Sequence, residues 1–303
     1  MKTSLDCIPC LVRQTLEAVR KVSAEPAVQE AILRDVLGWT AAIDLSAPPP
    51  ILAQRIHRRL RQIGNGADPY QAAKKRHNRL AASLLPGLRR RLARSPDPFH
   101  LALRLAIAGN AIDLGAPVET DDKAVCTALN RALRDPFAGD MGQFRRSVAR
   151  GGQILYLADN AGEIFFDRLF IEQLTPARVT MAVRGAPVIN DATLEDARES
   201  GMEAVAEVID NGSDAPGTIL DDCSAEFRRR FAAADLIIAK GQGNFETLSD
   251  VSGPIYFLFK VKCPVIAEHA GFAMGTHVLA ASTAAPGRRH RKPGAATPSK
   301  TPS

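Results

Sequence analysis

Along residues 1–148, apolar side chains recur at three- and four-residue spacing, as at Leu11, Leu16 and Val19 and again at Leu80, Leu84, Leu85 and Leu88. Alanine, leucine and arginine dominate, and β-branched runs are absent. Turn signals interrupt the pattern at Ala47-Pro-Pro-Pro50, Gly64-Asn-Gly66, Pro86-Gly87 and Ser95-Pro-Asp-Pro98. Together they predict about six helices. At Gly151-Gly152 the texture changes. Five short apolar runs come next, Ile154–Ala158, Val179–Val183, Ala204–Ile209, Leu236–Ala239 and Ile255–Phe259. Helix-like segments separate them at Ile164–Gln173, Thr193–Ser200, Cys223–Ala233 and Phe245–Ser249. Strands alternating with helices predict an α/β fold with a mostly parallel sheet.

The chain therefore divides into a helical domain over 1–148, an α/β domain over 149–275 and a tail over 276–303. The tail is Ala, Ser, Thr, Pro, Gly and basic residues, a composition too poor in apolar surface to order itself, so it is expected to be disordered. Val278-Leu279-Ala280 reads as no more than the remnant of a closing strand. Arg288, Arg289, Arg291, Lys292 and Lys300 supply five of the six net positive charges, which leaves the folded part close to neutral. Sparse aromatic residues, 5% of the chain, argue against a base-stacking surface, and no specific nucleic-acid partner is expected. There is no run of about 18 apolar residues for a membrane span. The first residues, MKTSLDCIPCLVRQ, contain no apolar core of signal-peptide length. Five cysteines, an odd number, fit reduced thiols in the cytoplasm. Nothing in the sequence reads on oligomeric state.

Polar residues concentrate after the five runs, in Asp159–Glu163, Arg184–Asp191, Asp210–Gly217, Lys240–Asn244 and Lys260–Cys263. In open α/β sheets that edge binds ligands. Asp159, Asn160 and Asp191 offer hard oxygen donors, suited to Mg²⁺, Mn²⁺ or Co²⁺. Asp159 and Asn160 serve equally well as caps for a helix starting near Gly162. The glycines of Lys240-Gly-Gln-Gly-Asn244 would let an anion approach the backbone, and Lys240 adds a point charge for a phosphoryl group. No Walker A loop is present, and no Gly-x-Gly-x-x-Gly follows a strand, which counts against a dinucleotide. Cys7-Ile-Pro-Cys10 has only Cys263 as a further plausible thiolate partner, so a four-thiolate zinc site is not supported. Asp68-Pro69-Tyr70 reads as a helix start, and Arg55, Arg58, Arg59 and Arg61 as a solvated helix face. Gly109-Asn-Ala-Ile-Asp-Leu-Gly115 is a poor helix interior that could either approach the catalytic edge or end a helix.

Eight motifs in consistent order, DCIPCLVRQ, DPYQAAK, AGNAIDLG, DNAGE, VIND, DNGSDAPGT, KGQGNFETL and FKVKCP, resemble the damage-control phosphatase family. That family was formerly domain of unknown function 89 and is also described as an acidic-residue methyltransferase-like, metal-binding domain. The Cys-x-x-Cys and Lys-Cys pattern resembles its prokaryotic branch. The resemblance covers about residues 1–275 and implies a helical domain on a three-layer α/β/α domain. It implies a phosphatase that depends on a divalent metal (Mn²⁺, Mg²⁺, Co²⁺ or Ni²⁺) and acts on small phosphorylated metabolites, either sugar phosphates or damaged phosphate esters. Asp159, Asn160 and Asp191 map onto the metal ligands. Asp159, Asp191 and Lys240 are the catalytic candidates, with Lys240 as the phosphate contact. Asn110, Asp113, Gly212, Ser213, Gly241 and Gly243 are substrate-side candidates. Two rival readings are an S-adenosylmethionine-dependent carboxyl methyltransferase, an activity also claimed in the family, and a non-enzymatic thiol or metal-binding protein built on Cys7, Cys10 and Cys263.

Overall fold

The structure is a computed structural model, and it describes residues 1–109, 129–150, 152–174 and 177–282. The helices whose bounds are described ahead of the first strand are α1 (Cys7–Val22), α2 (Pro26–Ala41), α3 (Pro49–Ile63), α4 (Gln71–Ala93) and α5 (Pro98–Ala108), and residues 129–132 are helical as well. Pro26, Pro49 and Pro98 stand in first turns, where a missing N–H breaks no intrahelical bond. Asp97 caps α5 by accepting from the His100 N–H at 2.9 Å. The break expected at Pro86-Gly87 is not there: α4 runs through Pro86. Its buried stripe, Leu84, Leu88 and Leu92, continues across the proline, and that burial overrides a local cost of about 3 kcal/mol. Asp68 does not cap α4 either. The helix starts at Gln71, and the Asp68 carboxylate accepts from the Tyr70 N–H at 2.8 Å one turn earlier.

The sheet is built from β1 (Phe137–Gly139), β2 (Gln153–Leu157), β3 (Arg178–Val183), β4 (Glu207–Asp210), β5 (Leu236–Lys240), β6 (Ile255–Lys260) and β7 (His277–Ala281). The intervening helices are α6 (Met141–Ala149), α7 (Glu163–Ile171), α8 (Leu194–Glu199), α9 (Ala225–Ala233), α10 (Gly241–Leu248) and α11 (Pro264–Ala270). The strand order is β1-β7-β6-β5-β2-β3-β4, with every pairing parallel except β6 with β7. The fold is therefore mixed α/β with a mostly parallel sheet, as the alternating pattern predicts.

Side chains alternate between two apolar layers, as the period-two geometry of strands requires. Ile154, Tyr156, Met181, Val183, Ile238 and Leu258 lie in one core with residues of α4, α5 and α7. Leu155, Leu157, Ala182, Ile237, Ala239 and Phe257 lie in the other, with Phe227 of α9, Phe245 of α10 and Ile266 of α11. Both faces are covered, which is why these strands read as continuous apolar runs.

The expected domain limits change in three places. β1 falls inside the stretch read as helical, because three residues are too few to show a periodicity. The supposed remnant in the tail is a full strand: β7 pairs antiparallel with β6 from Tyr256↔Ala281 to Lys260↔His277 and parallel with β1. The rest of the expected tail, from residue 283 on, lies outside the described residues. The helical stretch also divides. Helices α1–α3 share a core of their own, including Val19, Ile32, Val36 and Leu60, whereas α4 and α5 pack in the core on one face of the sheet.

Leu279 is buried where β7 bridges β1 and β6. Leu279→Ala is expected to cost about 2–5 kcal/mol in urea unfolding. A loss below about 0.5 kcal/mol, the range of surface substitutions, would mean that β7 is dispensable to the core.

Candidate active site

The chain winds outward in opposite directions from the adjacent strands β2 and β5: β3 and β4 lie beyond β2, while β6 lies beyond β5. Such a reversal opens a crevice beyond the carboxyl ends of the two strands. Asp159 follows β2 and Lys240 ends β5, so both stand at this crevice. The expected loop after β5 is absent, because Lys240 is the last strand residue and Gly241 the first residue of α10. Gly241 has φ 78°, and a Cβ there would lie 1.9 Å from Asp159 Oδ2. Only glycine permits this approach.

Asp159 and Asn160 do not cap α7. The residue before that helix is Gly162, which supplies no side-chain cap. Asn160 Nδ2 donates to Asp159 Oδ2 at 2.7 Å and to Glu163 Oε2 at 3.1 Å. Backbone bonds join this loop to the one after β3: the Ala161 N–H donates to Asn190 O and the Ala192 N–H to Asp159 O. Asn160 and Asp191 thereby face each other across an isolated antiparallel bridge. Ile189 is held at φ 45°, a conformation that a β-branched residue rarely adopts. The bonds on either side of it hold that strained turn and present Asp191.

Arg184 is fully buried and donates from Nε to Asp191 Oδ2 at 2.7 Å. Asn244 Oδ1 accepts from Thr218 Oγ1 at 2.8 Å and from the Arg184 guanidinium at 3.4 Å. Asn244 Nδ2 donates to Lys240 O and Ala158 O, which fixes the ends of β5 and β2 against each other. Burial, then the charges of Glu163 and Asp191, raise the Asp159 carboxyl well above its usual range, against the pull of Arg184 and Lys262. Burial also raises Asp191, while Arg184 pulls it down. A cation bound beside these two acids would offset that penalty on the carboxylate form.

Lys240 does not face the crevice as a phosphate contact would. Its Nζ is fully buried and donates to Glu163 Oε1 at 2.5 Å, Asp167 Oδ1 at 2.6 Å and Ala106 O at 2.8 Å. All three ammonium donors are used. Burial alone would lower the ammonium; Asp167 and Glu163 outweigh it and raise it. Asp167 is pushed up to about 6 by burial, with Lys240 opposing, and it accepts a further bond from Tyr156 Oη at 2.7 Å. The cation nearer the crevice is Lys262, an exposed residue after β6 whose charge reaches Asp159.

The helical half holds these loops from outside. Asn78 of α4 accepts from the Gly162 N–H at 2.7 Å and donates to Asp196 and Glu199 of α8. The face of α3 expected to be solvated is partly committed. Gln54, Arg58 and Arg61 converge on Asp214, Gln54 and Arg58 also reach Asp222, and Arg61 donates to Pro187 O at 2.5 Å. Ser213 Oγ in turn donates to Asp222 at 2.6 Å, and Gly212 turns the chain with φ 76°. Gly243 lies against Pro216, where a Cβ would meet its carbonyl oxygen at 2.3 Å.

The structure thus brings Asp159, Asn160, Asp191 and Gly241 together and sets Lys240 beneath them. Gly212, Ser213 and Gly243 belong to the adjoining post-β4 region. Asn110 and Asp113 lie outside the described residues. Glu163, Asp167, Arg184, Asn244, Asn78 and Lys262 are additions. Glu163 and Asp167 stand four apart on α7, a spacing that marks a shared helix face. Asn78 carries no sequence signal, because its partners are 84 and 118 residues away.

Among the described residues, no three His, Cys, Asp or Glu converge closely enough to hold a metal alone. Two carboxylates with the Asn160 amide oxygen still fit a hard cation that keeps water and substrate oxygens among its ligands.

A doubly wound sheet with two carboxylates and an amide at its switch point defines a class of α/β proteins with a candidate cation and anion site. More narrowly, the chain belongs to the damage-control phosphatase ARMT1-like domain family, which it matches over residues 3–278. It is 35% identical to a damage-control phosphatase of Archaeoglobus fulgidus, over 92% of this chain and 98% of that one. It is 32% identical to a damage-control phosphatase of Pyrococcus horikoshii, over 92% and 97% of the two chains. The crystal structure of a DUF89 family protein from Pyrococcus horikoshii superimposes with a TM-score of 0.86 at 31% identity, covering 93% of this chain and all of that one.

Replacing Lys240 by Met would leave Glu163 and Asp167 buried without their counter-charge. The expected loss is about 3–5 kcal/mol at neutral pH. Without the ammonium the folded-state Asp167 carboxyl rises further above about 6. The loss should therefore be full above that raised value and shrink as pH falls from it toward about 6, below which Asp167 is protonated with or without Lys240. Urea unfolding at pH 5 and pH 8 checks this, and a pH-independent loss would refute the charge argument.

Proposed function

We propose that this protein is a divalent-metal-dependent phosphatase of small phosphorylated metabolites, with its active site at the β2–β5 crevice. The observation that carries the reading is the placement of Asp159 and Asn160 against Asp191, which bridges Asn160. Two loops pinned to each other bring two buried acids together at the switch point, where burial disfavours the charged form of each. Relatives named damage-control phosphatases favour hydrolysis over the methyltransferase and thiol-protein alternatives.

In this reading Asp159, Asn160 and Asp191 hold the cation. A divalent cation held there would supply Lewis-acid chemistry, polarising a phosphoryl oxygen and lowering the pKa of a water. Asp191 is a fixed ligand, since its Oδ2 is committed to Arg184. Asp159 orients the water. Lys262 takes over the role first expected of Lys240, placing a positive charge over the phosphoryl oxygens from the rim of the crevice. Lys240 acts from below, neutralising Glu163, which in turn holds Asn160. The α3 clamp on Asp214 and Asp222 fixes the Ser213 loop as one wall of the substrate site. No helix among the described residues is long and apolar enough to cross a membrane, and we place the enzyme in the cytoplasm.

The test is phosphate release from p-nitrophenyl phosphate and a panel of sugar phosphates, after chelation and re-addition of Mn²⁺, Mg²⁺, Co²⁺ or Ni²⁺. Turnover should return with metal and vanish in Asp159→Ala, with circular dichroism used to check that the variant is folded. Full activity in Asp159→Ala would sink the assignment. Lys262→Ala should lower kcat/KM by about 10²-fold, the scale of losing one aimed charge in a transition state, with unfolding unchanged. An effect no larger than a surface substitution would return the phosphate contact to another group.

A further inference from the structure

The turn at Ile189, which presents Asp191, is held from more than one side. On its exit the Ala161 N–H donates to Asn190 O at 2.9 Å and the Ala192 N–H to Asp159 O at 2.8 Å. The loop also closes on itself. The Arg184 N–H donates to Ala192 O at 2.9 Å, and the Asp191 N–H to Val188 O at 3.0 Å across the turn. On the entering limb the contact comes from the helical half. Arg61, near the end of α3, donates from Nη1 to Pro187 O at 2.5 Å, two residues before Ile189. Its Nη2 donates to Asp214 Oδ2 in the loop after β4. A guanidinium holds its donors in a fixed fork, so this one side chain sets the spacing of two loops. It starts from a firm base, because Leu52, Ile56 and Leu60 of the same helix are buried in the core of α1–α3.

Arg58 of the same helix gives the contrast. Its hydrogen bonds among the described residues go to Asp214 and Asp222, which both follow β4. Its side chain is 47% exposed, against 16% for Arg61. Both arginines therefore grip the segment after β4, and of the two it is Arg61 that reaches the loop after β3. The start of that loop is fixed separately, by the Gly185 N–H on Ser213 O at 2.8 Å and on Asn211 Oδ1 at 3.1 Å. Arg184 orients the Asp191 carboxylate, and Arg61 secures the limb that leads into the turn. A β-branched residue stays at positive φ only where its surroundings over-determine it. Freeing Pro187 would let Ile189 relax, and Asp191 lies two residues further on.

We propose that Arg61 is a positioning residue for the cation site. By holding Pro187 O against Asp214 it keeps Ile189 in its turn and Asp191 facing Asn160. It acts through Asp191 and not on the substrate. A side chain of the helical half thereby governs a ligand that the α/β half supplies. The effect on the cation rests on the reading of Asp191 as a metal ligand. The dependence of the turn on Arg61 does not, so the two can fail separately.

The full-length protein is compared with Arg61→Met and Arg58→Met in two measurements, amide hydrogen exchange without metal and Mn²⁺ titration followed by electron paramagnetic resonance. Residues 186–192 should lose exchange protection in Arg61→Met and keep it in Arg58→Met. The Kd for Mn²⁺ should rise about tenfold or more in Arg61→Met, the scale of removing a group that stands behind a metal ligand, and stay near the wild-type value in Arg58→Met. Arg61→Lys keeps a charge beside Asp214 and gives up the fork. It should shift both readouts in the same direction, and it carries the test if Arg61→Met does not fold. Wild-type Mn²⁺ affinity in the Arg61 variants, or an equal loss in Arg58→Met, would overturn the proposal. So would weaker Mn²⁺ binding with unchanged exchange, because the turn would then not be the route. No Mn²⁺ binding by the wild-type protein would overturn the metal reading and the role of Arg61 with it, while loss of protection in Arg61→Met would still show that the turn depends on this side chain.

Discussion

The interaction on which the rest depends is the buried cluster of Lys240 with Glu163 and Asp167. A lone ammonium at that depth would be prohibitively costly, and so would the two acids without it. Together they connect β5, α7 and, through Ala106 O and Tyr156, α5 and β2. The ends of β2 and β5 are where Asp159 meets Gly241. The same three charges that hold the layers together thus set the floor of the crevice. Because Glu163 also accepts from Asn160, any shift of the floor reaches the donor set within one hydrogen bond.

Most of the fold is legible in the sequence because its strands are buried on both faces and stand out as apolar runs between helices. β1 and β7 escape for opposite reasons. Phe137–Gly139 is too short to show alternation, and His277–Ala281 is hidden by the Ala-, Pro- and Gly-rich basic stretch on its carboxyl side. The candidate site is legible where polar residues crowd into short post-strand segments, hence Asp159, Asn160 and Asp191. The role of Lys240 is hidden for a physical reason. A lysine after a strand and before glycines looks the same in sequence whether it points outward or inward. Only the packing of α5 and α7 shows that its three donors are taken. Asn78 and the arginines of α3 are unreadable in the same sense, since their partners lie far away in sequence.

Order at the site comes from crowding as much as from hydrogen bonds. Gly241 and Gly243 let α10 press against Asp159 and Pro216 at distances that any side chain would forbid. Ile189 is held in a conformation it would not choose. Such features make the loops stiff before any ligand arrives, which reduces what binding must spend on ordering them.

The two edges of the sheet have a consequence for assembly. One edge is β1, three residues long and ending in Gly139. The other is β4, four residues long, whose Glu207 is tied to Arg230 and Thr180. Short edges, one of them carrying charged side chains, offer little template for a foreign strand. Among the described residues, the sheet thereby offers a second copy little edge along which to extend it.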